Sequence, residues 1–182
     1  MIPFSLQYFG LIKKNLKILH IAPNVNEYNY VKSNFDTLLC YDRLDIKKRK
    51  HTNIKQDITQ MNIADNTYNL VIAWHVFEHI KDDIKAISEI YRVLKPTGYL
   101  LVSVPIYPIG SILTYEDNRI NYKDYYKIHG HHDHCRSCGL DYYKRFESVG
   151  FKTKVLDLKK VESIKMETFG LLKEHVVWCF NK

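Results

Sequence analysis

The fold is decided by residues 69–104, which read NLVIAWHVFEHIKDDIKAISEIYRVLKPTGYLLVSV. The first six residues form a nearly continuous apolar run, which is typical of a strand buried on both faces. Asp82 or Asp83 can cap a helix, residues 95–98 are a typical helix ending, and residues 99–104 are a second apolar run. The stretch therefore predicts a strand, a helix and a strand. The apolar positions of the helix recur at helical spacing: Ile84, Ile87, Ile90, Tyr91 and Leu94.

The same alternation extends over the rest of the chain. Strands that alternate with helices predict an open α/β sheet with helices on both faces. Ligands of such sheets bind beyond the carboxyl ends of the strands. Apolar runs predict the other strands at residues 17–22, 37–41, 54–57, 151–158 and 175–180, and helices are expected at 27–33 and 140–149.

The composition is ordinary for a globular domain, with 182 residues that are 46% hydrophobic and 26% charged. Lys and Arg outnumber Asp and Glu by 27 to 20, and the net charge of +7 suits an acidic ligand, a nucleic acid or an anionic surface. Four cysteines are too few for a disulfide scaffold, and the first residues do not form a secretory signal, so we expect a cytoplasmic protein. The longest uncharged stretch, residues 97–115, contains two prolines and two glycines, so we expect no membrane span.

Two carboxylates are predicted at the carboxyl-end rim of the sheet. Asp42 ends the second predicted strand, where it could accept hydrogen bonds from a ribose diol. Asp57 could accept a hydrogen bond from the exocyclic amine of a purine, and Ile58 could cover the base. Taken singly, each acidic residue is only a weak indication of a binding site, because acidic residues are common at strand ends.

Three segments together resemble class I S-adenosylmethionine-dependent methyltransferases of the type 11 group. They are residues 57–59 (DIT), 64–80 (ADNTYNLVIAWHVFEHI) and 90–98 (IYRVLKPTG). A subgroup with a first motif like His-Ile-Ala-Pro at residues 20–23 is more similar still. The resemblance implies a single domain over residues 1–182, with residues 105–139 as an active-site lid or insertion. It also implies a Rossmann-like, seven-stranded, mostly parallel sheet with helices on both faces and an antiparallel last strand.

The resemblance further implies S-adenosyl-L-methionine as cofactor and a site along the rim. Residues 22–24 would lie beside the methionine moiety, Asp42 would bind the ribose hydroxyls with Asp45 as the alternative, and residues 57–58 would contact the adenine. Residues 74–75 would line the sulfonium end. The predicted cofactor-binding residues are therefore Ala22, Pro23, Asn24, Asp42, Asp57, Ile58, Trp74 and His75.

The first motif departs from the pattern usual in this class. A Gly-x-Gly-x-Gly turn is usual where this chain has Ala-Pro-Asn-Val-Asn at residues 22–26, although the more similar subgroup shares the Ala-Pro form. His20 stands where an acidic residue is usual, and Asn69 stands where Asp is usual. These departures motivate an alternative function, a catalytically silent methyltransferase fold that acts as a binding or partner subunit.

A dense group of histidines and cysteines lies at residues 129–138. We predict His134 as a general base, with Asp133 and Arg136 supporting it or binding substrate. Alternatives are a zinc site that includes Cys135 and Cys138, or a surface loop without function. Residues 75–79 also match the His-x-x-Glu-His pattern of inverted zinc proteases, although Glu78 and His79 could simply orient the loop over the cofactor. We assign no metal ligand.

The sequence thus predicts methyl transfer from S-adenosylmethionine to the oxygen or nitrogen of a small-molecule acceptor. An RNA methyltransferase is the weaker alternative, motivated by the net charge and by the basic run at residues 43–55. A charge run is usually a solvated face, and no RNA-binding module accompanies this one, so we expect no nucleic-acid partner. An oligomer stays possible.

Overall fold

The computed structural model describes residues 1–156, 158, 161–169, 171 and 175–182. Within them the chain forms a seven-stranded sheet in the order β3-β2-β1-β4-β5-β7-β6. Strands β1 to β5 are mutually parallel, whereas β7 pairs antiparallel with both β5 and β6. The strands are β1 (Leu16–Ile21), β2 (Leu38–Asp45), β3 (Ile54–Lys55), β4 (Tyr68–Trp74), β5 (Leu94–Ser103), β6 (Lys152–Leu156) and β7 (Val177–Asn181).

Helices cover both faces of this sheet, which confirms the predicted fold class. Short 3₁₀ turns at Phe77–His79 and Tyr122–Asp124 lie in the connections. Within the described residues, no helix is both long and apolar enough to cross a lipid bilayer. The helices are α1 (Ile2–Tyr8), α2 (Val25–Asn34), α3 (Asp83–Val93), α4 (Tyr125–His129), α5 (Tyr143–Glu147) and α6 (Ser163–Thr168).

The central strand β4 divides the hydrophobic core in two, because successive side chains of a strand point to opposite faces. Val71 and Ala73 pack on the side of α3 and α5. Leu70 and Ile72 pack on the other side, with the apolar residues of α1. Both faces of β4 are therefore buried, which is why its sequence is apolar at almost every position.

Helix α3 forms where the sequence predicts it, but two of the five apolar positions assigned to its face differ, since Ile84 is exposed and Leu94 begins β5. The Asp82 side chain caps it by accepting a hydrogen bond from the Lys85 amide at 3.2 Å. The buried face of the helix packs on the sheet and so fixes the loop between β4 and α3 above the carboxyl ends of the strands. That face consists of Asp83, Ala86, Ile87, Ile90 and Val93.

Several boundaries differ from the predictions. Strand β2 does not end at Asp42 but continues to Asp45, because Leu44 pairs with Ile54 of β3. Strand β5 begins at Leu94 and so includes the segment predicted to be only a helix ending. Helix α5 is shorter than the predicted 140–149, and of the predicted strand 151–158, residue 157 lies outside the described part.

Candidate cofactor and acceptor site

A cleft opens where strands β1, β2 and β4 end, at the edge of the sheet where this topology predicts a ligand. Its volume is about 460 Å³, and small-molecule sites span roughly 300–1,000 Å³. Residues after β2 and β3 supply carboxylates and apolar side chains: Asp45, Ile46, Asp57 and Ile58. Residues after β4 and from the 105–139 segment supply two imidazoles and a third carboxylate: His75, His79 and Asp133.

The turn after β1 brings its backbone into the cleft through Ala22. This residue has a φ of +47°, in the left-handed region that favours glycine, and its amide donates to the Leu44 carbonyl at 2.6 Å. Pro23 is buried, and its carbonyl contacts His51 Nε2. Asn24 caps α2 together with Glu27. Of the three predicted turn residues, only Ala22 is among the side chains that line the cleft.

We expect Ala22→Gly to stabilise the protein by about 0.5 kcal/mol. A left-handed conformation costs a residue with a Cβ roughly 1–2 kcal/mol, which exceeds the roughly 0.4–1 kcal/mol that glycine costs through the unfolded chain. Ala64→Gly is the matched control, since Ala64 is also exposed and is not among the residues with positive φ. Urea denaturation should show a loss for the control and a gain at residue 22. Equal losses would show that Ala22 carries no strain.

The acidic residue usual in the first strand is replaced by a buried histidine with a carboxylate beside it. His20 is fully buried, its Nδ1 lies 3.0 Å from Tyr41 Oη, and its Nε2 lies 3.5 Å from Glu27 Oε2. Burial lowers the pKa of His20, and the contact with Glu27 only partly opposes this effect. Helix α2 therefore supplies a carboxylate close to the position where β1 usually has one.

Asp42 lies within β2 and not at its end, so that part of the prediction is wrong. Its carboxylate accepts hydrogen bonds from Tyr68 Oη at 2.7 Å, Asn53 Nδ2 at 2.9 Å and Cys40 Sγ at 3.1 Å. Burial acts to raise the pKa of Asp42, but these hydrogen bonds outweigh it and lower the pKa. Asp42 thus links β2 to β4 and to the loop before β3, and it is not among the residues that line the cleft.

The carboxylate at the end of β2 is Asp45, the alternative that the sequence left open. Asp45 is buried and lines the cleft. Its Oδ1 accepts from the Lys47 amide at 2.8 Å, and its Oδ2 accepts from Arg49 Nε at 2.6 Å. Each carboxylate oxygen can accept more than one hydrogen bond, so both can still receive a ribose hydroxyl.

Asp57 and Ile58 lie in the cleft beyond β3, where the sequence places them. Asp57 Oδ1 accepts from both the amide and the hydroxyl of Thr59 at 2.8 Å, which holds the carboxylate in a fixed turn. Ile58 is buried, and the exposed Ile46 contributes a second apolar side chain to the same cleft. A carboxylate between apolar side chains suits a flat heterocycle with an exocyclic amine.

Trp74 and His75, at the end of β4, lie in different cavities. Trp74 packs with Leu70 and Ile72 on the α1 side and lines a smaller cavity there, so the prediction that it lines the cofactor cleft is wrong. His75 does line the cleft and has a φ of +54°. Such a backbone conformation is uncommon for residues with a Cβ, although His adopts it more often than most.

The turn after β4 buries an acidic side chain next to two imidazoles. Glu78 is 1% exposed, and neither of its carboxylate oxygens has a hydrogen-bond partner among the described residues. Its Oε1 lies 3.6 Å from His75 Nδ1 and 3.8 Å from His79 Nε2. Burial raises the pKa of Glu78 to about 8.

His134 and Asp133 approach this turn from the 105–139 segment. The His134 ring centroid lies 4.8 Å from that of His79, and Asp133 Oδ1 lies 3.3 Å from His79 Nδ1. Asp133 lines the cleft, whereas His134 is not among the lining residues and reaches the cleft through His79. Burial, together with the neighbouring His79 and His131, lowers the pKa of His134 to about 4. His134 is therefore neutral at physiological pH.

Arg136 is buried and is not among the residues that line the cleft, so of its two predicted roles the structure favours support over substrate binding. Its guanidinium donates to the carbonyls of Phe77, Ile80 and Lys81 and to the Glu116 carboxylate. A fully buried arginine that satisfies three backbone carbonyls holds the 105–139 segment onto the turn after β4. Its contribution to the site is structural.

The two zinc alternatives do not fit the described residues as predicted. Cys138 is buried in the core, and Cys135 Sγ donates to the Glu78 carbonyl. Neither cysteine is in a group of side chains that could hold a metal ion in the described part of the chain. Residues 75–79 lie on a strand end and a 3₁₀ turn, so they do not have the helical spacing of a zinc protease.

Comparisons with known proteins show which family and which solved structures this chain is similar to. Residues 19–102 match the family described as Methyltransferase domain. A Mycolicibacterium smegmatis protein, described as a probable S-adenosylmethionine-dependent methyltransferase, is 35% identical over 65 residues, which are 36% of this chain and 23% of that protein. An uncharacterised Methanocaldococcus jannaschii protein is 32% identical over 95 residues, 50% of this chain and 42% of that protein. The chain thus spans less than half the length of these curated relatives.

One similar solved structure is an S-adenosylmethionine-dependent methyltransferase from Mesorhizobium loti, with a TM-score of 0.70 and 11% identity. The match covers 98% of this chain and 96% of that one. Residues 19–102 therefore match a methyltransferase domain family, as the sequence resemblance predicts, and the chain has the fold of this S-adenosylmethionine-dependent methyltransferase throughout its described part. S-adenosylmethionine is accordingly the cofactor implied for the cleft.

Proposed function

We propose that the protein transfers a methyl group from S-adenosylmethionine to an oxygen or nitrogen of a small-molecule acceptor. The observation that carries the proposal is the cleft, which has carboxylates and apolar side chains at one end and imidazoles at the other. Asp45 would bind the ribose, Asp57 and Ile58 would contact the adenine, and the backbone at Ala22 would approach the methionine moiety. The sulfonium methyl would then point toward His75 and His79.

Methyl transfer depends mainly on how the protein positions the acceptor and the cofactor. The acceptor's lone pair forms a bond to the methyl carbon, the bond between that carbon and sulfur breaks, and its electron pair stays on sulfur in S-adenosylhomocysteine. The protein holds the reactants in line and excludes water. We propose His134 as the general base whose lone pair takes the proton that the acceptor loses, because it is neutral at physiological pH and contacts His79. Asp133 orients His79 beside it.

The position of the cofactor is tested by calorimetric titration with S-adenosylhomocysteine. We expect Asp57→Ala to lower the affinity about 10-fold or more, since a hydrogen bond to a charged group contributes about 1.5–3 kcal/mol. Asp36→Ala is the control, because Asp36 is exposed and precedes β2 at the opposite end of that strand. Equal affinities of the two variants would remove Asp57 from the cofactor site.

The second candidate function is a catalytically silent methyltransferase fold that binds a partner subunit, and the backbone conformation of Ala22 favours it. Ala22 occupies a left-handed position where glycine is usual, which works against close approach of a ligand. A similar structure, a complex that contains the Haloferax volcanii Trm112 methyltransferase activator, has a TM-score of 0.59 and 14% identity, and covers 93% of this chain and 84% of that one. A chain that binds no S-adenosylhomocysteine alone but does so with a partner subunit would support this candidate.

The basic run at residues 43–55 gives RNA less support as the methyl acceptor than the cleft gives a small molecule. Arg49 pairs with Asp45, and Arg43 donates to the carbonyls of Tyr41 and His51 while its guanidinium lies 5.1 Å from the Tyr41 ring centroid. These two arginines are therefore used within the domain rather than presented to phosphates. A small-molecule acceptor remains our proposal.

A further inference from the structure

We propose that Glu78, His79 and His134 bind one divalent cation at the acceptor end of the cleft. The three residues come from two segments that are about 55 positions apart in sequence, and one ligand atom from each lies within 4.8 Å of the others. The cation would sit beside His75, whose Nδ1 faces the same Glu78 oxygen. The inference deepens the proposed function, on which its catalytic meaning rests, and assigns a ligand to a group of side chains that methyl transfer alone does not require.

The spacing of the ligand atoms suits a metal ion. Bonds of about 2.0–2.2 Å to nitrogen and oxygen place tetrahedral ligands about 3.4 Å apart. Glu78 Oε1 and His79 Nε2 are already 3.8 Å apart, which is too long for a hydrogen bond and close to the separation that a shared cation requires. Small side-chain rotations would complete the site.

The buried Glu78 carboxylate also points to a ligand at this position. It is 1% exposed, and both its oxygens lack a hydrogen-bond partner among the described residues. Burying a carboxylate without a hydrogen-bond partner is strongly unfavourable, so such a group normally pairs with a cation, coordinates a metal or takes up a proton. The imidazole nitrogens of His75 and His79 lie 3.6 and 3.8 Å from Oε1, which is too far for hydrogen bonds, so a cation placed between these groups would satisfy the carboxylate. The adjacent imidazoles favour the cation.

The two imidazoles are arranged as metal ligands are. His79 Nδ1 lies 3.2 Å from the Asp133 carbonyl oxygen and 3.3 Å from the Asp133 carboxylate, so the assigned tautomer carries its proton on Nδ1. The lone pair of Nε2 then faces Glu78. Metal-bound histidines characteristically donate the other ring N–H to a carbonyl or carboxylate in this way. His134 lies edge-to-face against the same ring, with its centroid 4.8 Å from that of His79.

The backbone holds the two ligand-bearing segments together without the cation. The Cys135 amide donates to the Glu78 carbonyl at 2.9 Å, and this bond joins residues that directly neighbour His134 and His79. Arg136 adds its hydrogen bonds to the carbonyls of Phe77 and Ile80 on the same turn. The ligands are therefore preorganised, which favours metal affinity because little ordering has to accompany binding.

One carboxylate and two imidazoles suit Zn²⁺ or a similar transition-metal ion better than Ca²⁺ or Mg²⁺, which prefer oxygen ligands throughout. Three protein ligands leave a coordination position open, and His79 lines the cleft at that point. An acceptor oxygen bound there would have a lowered pKa through the cation. The lone pair of His134 then serves the cation instead of taking the acceptor's proton.

The test is a calorimetric titration of the chelator-treated chain of residues 1–182 with Zn²⁺, and separately with Mn²⁺, together with elemental analysis after dialysis. We expect about one ion per chain, and a loss of affinity of about 100-fold or more in Glu78→Gln and in His134→Ala. His132→Ala is the control, because His132 is exposed and stacks on Tyr126 outside the group. Gln matches the shape of a protonated Glu, and thermal unfolding in chelator checks that each variant folds.

Absence of stoichiometric binding by the unmodified chain would overturn the inference, as would binding that Glu78→Gln and His134→Ala leave intact. Binding that only His132→Ala removes would assign the ion to surface histidines and would also overturn it. S-adenosylhomocysteine binding is measured on the same samples. A chain that binds the nucleoside but no metal contradicts this inference alone, and a chain that binds metal but no nucleoside contradicts the proposed function alone.

Discussion

Arg136→Met is expected to lower the free energy of unfolding by about 3 kcal/mol. Removing one partner of a buried ion pair typically costs about 3–5 kcal/mol, and here the change also leaves the carbonyls of Phe77, Ile80 and Lys81 without their donor. Arg145 still pairs with Asp83 and Glu116, which places the expected loss at the lower end. Urea denaturation measures it.

The matched control for this prediction is Arg119→Met. Arg119 also forms an ion pair with an acidic neighbour, Asp117, but its side chain is 90% exposed. Water and salt screen an ion pair this exposed, so we expect almost no change in stability. Equal stability of Arg136→Met and the unmodified protein, with substrate binding weakened instead, would return Arg136 to the role predicted from the sequence.

His134→Ala is expected to lower kcat by about 10²–10⁴-fold with a smaller effect on KM, because the imidazole would activate the acceptor in the transition state, either directly as a base or through the cation that it helps to bind. The pKa of His134 is lowered to about 4, so the group is already neutral at pH 6 and its protonation state does not change up to pH 8. Rates of the unmodified enzyme should accordingly show no inflection from this group in that range.

His132→Ala again provides the comparison, since it removes an exposed imidazole two positions away. We expect it to turn over at nearly the rate of the unmodified enzyme with the same acceptor. Unchanged turnover of His134→Ala at saturating acceptor would show that neither the proton nor a cation at this position contributes to the reaction. His75 and Asp133 would then be the residues proposed to act on the acceptor.

The sequence predicted the sheet well because its signals are local. The strands are apolar runs, and α3 has both a cap at Asp82 and a regular apolar face. The prediction failed at the end of β2 because residues 43–45 contain two charged residues and a single apolar one. Their strand conformation depends on pairing with β1 and β3, which the local sequence does not show. The shift from Asp42 to Asp45 is the consequence for the site.

Two other errors have the same physical origin. The alternation of β4 places Trp74 on the face of Leu70 and Ile72, but no local pattern says which face borders the cleft. Arg136 and Glu78 read as polar loop residues, and their burial depends on contacts made across more than 50 residues of chain. Side chains that tertiary packing buries cannot be recognised from their neighbours in sequence.

The most direct test of the account is thermal unfolding of the unmodified chain with and without S-adenosylhomocysteine. A ligand at about 100 times its dissociation constant adds about 2.7 kcal/mol of stability. For a domain of this size, the account predicts that the unfolding midpoint rises by several degrees, and that Asp57→Ala needs more ligand to reach the same shift. An unchanged midpoint at millimolar S-adenosylhomocysteine would contradict the assignment of the cleft as a cofactor site.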